Sequence, residues 1–425
     1  MIPMELIVKP SPVTGTLPAS PSKSYSHRAL TLGLLADGRT TLKNVLLSGD
    51  TLATLRAVEL FGGRAVVKGD TVTIDGGRLA CPDNVIDCAN SGTTIRIMAG
   101  VASLLPCTTV LTGDTSIRRR PMQPLIESLN ELGVECRSTR GNGLAPLLVK
   151  GPNRGTSTHI KGDISSQFVS SLLLSSPLKE VDTEVVLTSP LKSKPYVEIT
   201  LVMMREFGAK GSMTKQGFEI EGRQRYKATS YKVPGDYSSA AFPLVAGALA
   251  GEVMVVGLNP DDKQGDKLMV DILEQFGANV KRGVTSVRVA PGRLQGIEVD
   301  LSDAPDLFPL VAVVGSQAKG MTRIFNAEHV RHKESDRISS TTDFLKRMGA
   351  QIEEKEDGCV IKGPARLKGA MVQSLEDHRI LMAAAIAGLV AEGETIIDHG
   401  ECYRISYPNF LDDMAALGAE MELVP

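Results

Sequence analysis

Several features that define other classes of protein are missing from this sequence. Its 425 residues include no Trp, and aromatic residues make up only 4% of the chain. That is too few for the stacked aromatic surfaces on which single-stranded nucleic acids bind. The formal net charge is −2, from 47 basic and 49 acidic residues, so no overall field attracts nucleic acid or an anionic membrane. We expect no nucleic-acid partner, and any anion site has to be local.

Cysteine is sparse and irregularly spaced. The six cysteines form no Cys-x-x-Cys pair and lie at no ligand spacing from the histidines, so we expect neither a disulfide framework nor a zinc site. No uninterrupted apolar run reaches the roughly 18 residues of a membrane span. The first five residues lack the basic and apolar segments of a secretory signal. We therefore expect a cytoplasmic protein with no membrane contact.

What is present is an ordinary globular composition, 42% hydrophobic and 23% charged, on a chain too long for one core. A pattern of about seventy residues recurs along it, which indicates repeated supersecondary units. In each copy an amphipathic helix ends at a bulky apolar residue followed by Gly, the residue favoured just past a helix end. Two short strands joined by a turn follow. These glycines are Gly62, Gly133, Gly208, Gly277, Gly349 and Gly418.

Each copy also contains a second helix, apolar on all sides and therefore buried. The apolar parts are residues 29–35, 95–105, 168–174, 240–250, 307–314 and 380–390. With the strand between the two helices, each copy is a βαβαββ unit, and the fold class is α/β. The sixth copy is one strand short at the C-terminus, and residues 4–9 form a spare strand that completes it.

This arrangement predicts two domains, each of three βαβαββ repeats around buried helices, in an inverse α/β barrel-like fold. The first domain is expected over 18–229, and the second over 1–17 and 230–425. The chain then crosses twice between them, which makes a natural hinge. We expect the active site in the cleft between the two domains.

The polar clusters that open the buried helices are the candidate sites. Unpaired N–H groups and the helix dipole make such N-termini favourable for anions, although Ser, Thr, Asn and Asp are also the ordinary capping residues. Lys23, Arg28, Arg96 and Arg379 lie at or near these starts, where a cation opposes the dipole unless an anion is bound.

Two further charged segments leave two interpretations open. The three arginines of 118–120 are either a solvated turn or a phosphate ligand. The segment 331–337 is either surface ion pairing between Glu334 and Arg337 or a carboxylic acid held among cations as a proton carrier. Asp306 is likewise either a helix cap or a second carboxylate for acid–base chemistry.

At these residues the sequence resembles the 5-enolpyruvylshikimate-3-phosphate synthase family, and the resemblance spans essentially the whole chain. Ordered motifs carry it, at residues 22–28, 90–96, 120–121, 165–168, 193–196, 235–239, 333–337 and 377–379. The resemblance implies the two-domain fold and an addition–elimination reaction between phosphoenolpyruvate and shikimate 3-phosphate. It implies no metal and no organic cofactor.

The resemblance also implies roles for individual residues. The phosphoenolpyruvate set is Lys23, Asn90, Gly92, Arg120, Gln167, Arg337 and Arg379. The shikimate 3-phosphate set is Lys23, Ser24, Arg28, Ser165, Ser166, Gln167, Ser193, Tyr196, Asp306 and Lys333. Glu334 is the expected donor of the methylene proton, and Asp306 and Lys23 are expected to handle the hydroxyl proton.

Two positions depart from the family pattern. His329 stands where members commonly have Asn, and Ile405 where many have a Lys that binds phosphoenolpyruvate. We keep His329 as a candidate ligand of shikimate 3-phosphate and the adjacent Arg404 as a candidate ligand of phosphoenolpyruvate.

Two alternatives remain. An enzyme of the same fold that acts on UDP-N-acetylglucosamine usually has a reactive Cys where this chain has Thr115. From another class, a nucleic-acid-binding protein can be built from similar repeats, but balanced charge and sparse aromatics disfavour it. We expect an enzyme of the shikimate branch that is a monomer.

Overall fold

The structure is a computed structural model that describes residues 4–425. Its internal contacts divide the chain into two compact units. The central unit is Pro21–Val233, and the terminal unit is Pro234–Pro425 together with the N-terminal residues up to Ser20. Two strands precede the central unit and belong to the terminal one, β1 (Glu5–Lys9) and β2 (Val13–Pro18).

The central unit alternates helices and short strands throughout. Its helices are α1 (Lys23–Leu35), α2 (Gly49–Leu60), α3 (Gly92–Ala102), α4 (Gln123–Glu131), α5 (Ser166–Ser175) and α6 (Lys194–Glu206). Its strands are β3 (Ala36–Lys43), β4 (Arg64–Lys68), β5 (Thr71–Gly76), β6 (Ile86–Asp87), β7 (Thr109–Thr112), β8 (Glu135–Ser138), β9 (Leu147–Lys150), β10 (Ser157–Ile160), β11 (Thr183–Leu187), β12 (Ser212–Met213), β13 (Gly217–Ile220), β14 (Tyr226–Lys227) and β15 (Ser230–Lys232).

The terminal unit repeats this order. Its helices are α7 (Tyr237–Ala250), α8 (Leu268–Phe276), α9 (Phe308–Gln317), α10 (Arg337–Arg347), α11 (His378–Gly388) and α12 (Phe410–Ala416). Its remaining strands are β16 (Gly251–Val256), β17 (Asn279–Arg282), β18 (Ser286–Ala290), β19 (Glu298–Asp300), β20 (Gly320–Phe325), β21 (Gln351–Lys355), β22 (Gly358–Gly363), β23 (Met371–Val372), β24 (Thr395–Ile397) and β25 (Glu420–Val424).

Within residues 4–425 each unit contains three sheets that share one strand pattern. In the sheet β6-β7-β9-β8 the first two strands are parallel and the other neighbours are antiparallel. The sheets β10-β11-β13-β12 and β19-β20-β22-β21 repeat this pattern. Because a helix follows each of the first two strands in these three sheets, each of them with its two helices is a βαβαββ unit. The predicted α/β class with three repeats in each unit is confirmed.

Chain segments distant in sequence complete three of the repeats. Strand β1 lies between β24 and β25 and pairs antiparallel with both, so that Leu6 faces Ile397 and Leu423. Strand β2 runs parallel to β16, and β14 and β15 run parallel to β3. The spare N-terminal strand therefore fills the place that the sixth repeat leaves open.

The apolar helices are buried as predicted. All eleven residues of α3 are buried, and so are all eleven of α11. Helices α3 and α5 pack closely, since a Cβ at Gly100 would lie 2.5 Å from the carbonyl oxygen of Ser171. The six glycines predicted to end the amphipathic helices all have positive φ, between 81° and 99°, which a side chain would oppose.

One feature corrects the sequence analysis: Cys81 and Cys107 form a disulfide bond. They lie 26 residues apart, just before β6 and β7, and the parallel pairing of those two strands brings them together. The spacing of cysteines along the chain gives no information on which strands pair, so the sequence alone did not predict the bond. The other four cysteines are buried and free. Among the described residues, no helix is long and apolar enough to cross a membrane.

Candidate active site

The site in the central unit is built at the N-termini of α3 and α5. The Nη1 atom of Arg96 donates to Gln167 Oε1 at 2.6 Å and to Ser165 Oγ at 3.3 Å. Gln167 Nε2 in turn donates to Thr93 Oγ1 at 2.8 Å. Ser165 caps α5, and Ser166 is buried in its first turn. Arg96 was noticed in the sequence but not placed in a ligand set, and it is the residue that joins the two helix starts.

Gly92 makes room for a guanidinium at the start of α3. A Cβ there would lie 2.7 Å from Arg120 Nη1, so any other residue would displace the arginine. Arg120 Nη2 donates to Asn90 Oδ1 at 3.2 Å and to Ser116 Oγ at 3.0 Å. The structure thus brings Asn90, Gly92 and Arg120 together, as the predicted phosphoenolpyruvate set requires. Of the three arginines in 118–120, Arg120 is buried.

Lys23 lies beside the same helix start. Its Nζ pairs with Asp50 Oδ2 at 3.0 Å, and the backbone carbonyl of Asp50 accepts from Thr94 Oγ1 at 3.4 Å. The Lys23 side chain is 17% exposed. Ser24 follows it in the first turn of α1. A cation that remains accessible at a helix N-terminus is suited to an anionic ligand.

Arg28 is held inside the central unit beneath these residues. Its guanidinium donates to Thr200 Oγ1 at 2.7 Å, to Ser170 Oγ at 3.2 Å and to the carbonyls of Ser24 and Tyr196. Burial lowers the pKa of Arg28 to about 10. No carboxylate pairs with Arg28 within residues 4–425, so its buried charge would favour a nearby anion. Its direct contact with a substrate stays a prediction.

Ser193 and Tyr196 lie at the start of α6. Ser193 is buried and adopts a left-handed backbone conformation with φ 54°. A non-glycine residue there is strained, and such strain often accompanies a functional position. Tyr196 is partly exposed.

In the terminal unit, Arg337 gathers three carboxylates around one buried guanidinium. Its Nη1 donates to Asp306 Oδ1 at 2.7 Å, its Nη2 to Glu334 Oε2 at 2.6 Å and its Nε to Asp377 Oδ2 at 2.9 Å. The Arg337 side chain is 1% exposed and that of Glu334 is 11% exposed. The segment 331–337 is therefore not a solvated surface pair. Glu334 and Asp306 are held by the same arginine.

Asp306 lies among three cations. Besides Arg337, Lys333 Nζ is 3.7 Å from Oδ1 and Arg379 Nη2 is 3.5 Å from Oδ2. Burial alone would raise the pKa of Asp306, but the charges of Lys333, Arg379 and Arg337 hold it well below its usual range. The group is therefore a carboxylate at neutral pH. It can accept a hydrogen bond, but the cations beside it make it a weak base, and it does not serve as an acid.

Arg379 is fixed by two residues that the sequence analysis did not place in the site. Its Nη2 donates to Ser238 Oγ at 2.5 Å, and Ser238 Oγ donates to Asp266 Oδ2 at 2.5 Å. Ser238 stood in a recognised polar cluster, whereas nothing in the sequence marked Asp266. Burial raises the pKa of Asp266 to about 6, and the negative charge of Asp306 adds to this.

This shift predicts an unusual pH dependence. The folded-state pKa of Asp266, about 6, lies above the ordinary value of 3.8. Its contribution to the free energy of unfolding is therefore full below about pH 4 and is lost as the pH rises through about 6. Asp266→Asn does not titrate, so the variant should gain stability relative to the unmodified protein as the pH rises from about 4.5 to 7. Urea unfolding of both proteins at the two pH values measures this, and parallel pH profiles would contradict it.

The two departures from the family pattern both lie in short 3-10 helices. His329 is buried in a 3-10 helix, Glu328–His332. Arg404 is exposed in the 3-10 helix Gly400–Ile405, where its Nε donates to Tyr403 Oη at 3.2 Å. The segment is not a strand, so the strict alternation of faces that would separate Arg404 from Ile405 does not apply.

The fold and the two clusters define a class. Each unit presents buried or half-buried cations at the N-termini of apolar helices, and the terminal unit adds three carboxylates on one arginine. This is an α/β enzyme that handles anionic substrates by charge stabilisation and proton transfer.

Comparison with known proteins makes the assignment specific. The profile of EPSP synthase (3-phosphoshikimate 1-carboxyvinyltransferase) matches residues 7–414. A Methanocorpusculum labreanum relative named 3-phosphoshikimate 1-carboxyvinyltransferase is 49% identical over 421 residues, covering 98% of this chain and 99% of the relative. A Halobacterium salinarum relative of the same name is 48% identical over 430 residues, covering 99% and 100%. The solved EPSP synthase of Acinetobacter baumannii superposes with a TM-score of 0.83 at 28% identity, covering 99% of this chain and 100% of that one. The chain belongs to the EPSP synthase family.

Proposed function

We propose that this chain transfers the enolpyruvyl group of phosphoenolpyruvate to the 5-hydroxyl of shikimate 3-phosphate and releases phosphate. Membership of the family and the names of the two relatives support it. The observation that carries the proposal is the Arg337 cluster, where one buried guanidinium holds the carboxylate of Asp306 beside that of Glu334.

The reaction has two stages, and each asks something different of the site. In the addition, the 5-hydroxyl oxygen bonds to C2 of phosphoenolpyruvate and loses its proton to a base. An acid supplies a second proton to the methylene carbon. In the elimination, that carbon gives back a proton, the double bond re-forms and phosphate departs. A base, an acid and fixed cations are therefore needed.

Asp306 is the base in this proposal, with Lys23 assisting at the same hydroxyl. Its three cations keep it ionised, which suits a group that must accept a hydrogen bond from the hydroxyl. Substrate anions that bind Lys333, Arg337 and Arg379 offset the charges that lower the pKa of Asp306, and so allow it to take the proton. Lys333 Nζ lies 3.7 Å from Asp306 Oδ1, and its side chain is 29% exposed, so a phosphate or hydroxyl of shikimate 3-phosphate can reach it.

Glu334 is the acid. Its pairing with Arg337 at 2.6 Å favours the carboxylate form. A substrate anion that binds the Arg337 guanidinium weakens its pairing with Glu334. The protonated form of Glu334 is then favoured, and it can donate a proton to the methylene carbon. Proton supply is thereby linked to occupancy of the site.

Arg120, Lys23, Arg337 and Arg379 are the proposed cations for phosphoenolpyruvate, with Asn90, Gly92 and Gln167 shaping its place. Ser24, Arg28, Ser165, Ser166, Ser193, Tyr196 and His329 are proposed for shikimate 3-phosphate. These residues are divided between the two units, and the predicted cleft between the two domains remains a proposal. We also propose a cytoplasmic monomer, which cell fractionation and light scattering test.

The deciding experiment is phosphate release from phosphoenolpyruvate with one acceptor at a time. Release that requires shikimate 3-phosphate supports the proposal. Release with UDP-N-acetylglucosamine instead would assign the chain to the other branch of enolpyruvyl transfer, and no release with either acceptor would reject the proposal.

Closure of the two units on substrate is expected. Neither unit alone holds enough cations to neutralise both substrates, so the bound state should be more compact. Small-angle scattering should show a smaller radius of gyration with shikimate 3-phosphate plus a ligand of the phosphoenolpyruvate site than with either one. An unchanged radius would count against a shared cleft.

Arg404→Ala tests the departure at Ile405. If Arg404 replaces the missing lysine, the KM for phosphoenolpyruvate should rise by the equivalent of about 1.5–3 kcal/mol, the range for a lost charge-assisted contact. The KM for shikimate 3-phosphate should change little. Arg366→Ala, at an exposed arginine paired with Glu392, is the control. An unchanged KM for phosphoenolpyruvate would show that Arg404 is not a ligand.

A further inference from the structure

A cavity of about 610 Å³ lies in the central unit at the opposite ends of its buried helices. Leu35 is the last residue of α1, Leu104 and Leu105 follow α3, and Leu178 follows α5, and all four line the cavity. Helix α1 has 13 residues, so the cavity is roughly 20 Å from the polar helix starts. Its volume is in the range of small-molecule sites, and it is separate from the candidate active site.

The lining carries more cations than carboxylates, three against two. Lys179, Arg154 and Arg225 line the cavity together with two acidic residues, Asp37 and Glu180. Glu180 is also 3.8 Å from Arg223, which offsets its charge. Within residues 4–425, none of the three lining cations has a carboxylate partner.

Lys179 is the most informative of these cations. It is 3% exposed, and its Nζ donates to the carbonyl of Gly155 at 2.6 Å and to Thr183 Oγ1 at 2.7 Å. Burial lowers the pKa of Lys179 to about 8. A buried ammonium without a counter-ion is unfavourable, and an anion in the cavity would stabilise it.

Asn153 supplies a second, independent sign of a missing ligand. It lines the cavity and is 5% exposed, and neither its amide nitrogen nor its amide oxygen has a hydrogen-bond partner. Buried polar groups without partners are rare and costly. A ligand with a polar head would provide what the protein does not.

The helix ends oppose an anion only in part. C-terminal carbonyls carry partial negative charge, and three carbonyls at or just beyond these ends are already hydrogen-bonded: Gly77 donates to Leu34, Gly151 to Leu105 and Gln224 to Pro177. Among the charged side chains of the lining, cations exceed carboxylates.

We propose that this cavity is a second binding site, for a small molecule with one carboxylate and an apolar body. The carboxylate binds Arg154 and Arg225 at the mouth, near Lys179 and Asn153, and the apolar body lies on the leucines. The Cys81–Cys107 disulfide joins the two segments that carry Leu79 and Leu104, so two of the walls are held in place before binding.

The test uses 3-phenylpropanoate as the probe. Two matched controls each lack one feature: propanoate lacks the apolar body, and 3-phenylpropanol lacks the carboxylate. Calorimetry on the full chain should give a Kd of about 1 mM or tighter for the probe, as expected for a fragment of this size. Each control should bind at least about 10-fold more weakly. Shikimate 3-phosphate should not displace the probe.

A double variant, with Arg154→Ala and Arg225→Ala, changes two exposed side chains and keeps the buried Lys179, so it should fold. It should weaken probe binding by about 10-fold or more, whereas Arg39→Ala, at another exposed arginine of the same unit, should not. Absence of probe binding, equal binding by the controls, equal binding by the double variant, or displacement by shikimate 3-phosphate would each overturn the proposal.

Discussion

Glu334→Gln is expected to lower turnover by about 100-fold or more, the scale of a positioned general acid, with little change in substrate binding. The amide has the same shape and can still accept from Arg337, whose Nη2 lies 2.6 Å from Glu334 Oε2. What it lacks is a proton for the methylene carbon of phosphoenolpyruvate. Steady-state phosphate release gives kcat, and calorimetry gives substrate affinity.

The control is Glu353→Gln, which removes a charge from an exposed strand position, where Glu353 pairs with Lys355. It should leave turnover unchanged. If Glu334→Gln also kept near-normal turnover, Glu334 would be only a buried ion-pair partner of Arg337 with no part in proton transfer.

The repeats could be predicted because their signals are local. The apolar helices and the glycine after each amphipathic helix each depend on a few consecutive residues, and those glycines all have the positive φ that helix termination needs. The N-terminal strand could be placed because one repeat lacked a strand, and β1 pairs with β24 and β25 there.

The site could be predicted only as separate clusters. The bond from Arg337 to Asp377 joins residues 40 positions apart, and it exists because α10 and α11 pack side by side. The contact between Ser238 and Arg379 spans 141 positions. Periodicity and motif spacing do not reveal contacts between residues so far apart in sequence. Asp266, which joins the site through Ser238, therefore could not be identified from the sequence. The ionised state of Asp306 likewise depends on three cations from other segments.

Asp377 is the residue on which the terminal cluster depends most. Its side chain is 0% exposed; it accepts from Arg337 Nε at 2.9 Å, from Ser335 Oγ at 2.9 Å and from the backbone N–H of Arg379 at 2.9 Å. It therefore caps α11 and neutralises Arg337 at once. Burial would lower the pKa of Arg337, but Asp377, Glu334 and Asp306 raise it above its usual value, so the arginine remains charged.

Asp377→Ala should lower the free energy of unfolding by about 3 kcal/mol, the lower end of the range for breaking a buried ion pair. The lower end applies because Asp306 and Glu334 still contact Arg337. Asp377→Asn should lose less, since the amide oxygen can still cap α11. The matched control is Asp343→Ala, which breaks an exposed pair with Arg347 and should cost at most about 1 kcal/mol. Urea unfolding measures the difference, and hydrogen exchange should localise it to α10 and α11. A loss no larger than that of Asp343→Ala would show that Arg337 does not depend on Asp377, and that the remaining two carboxylates alone neutralise it.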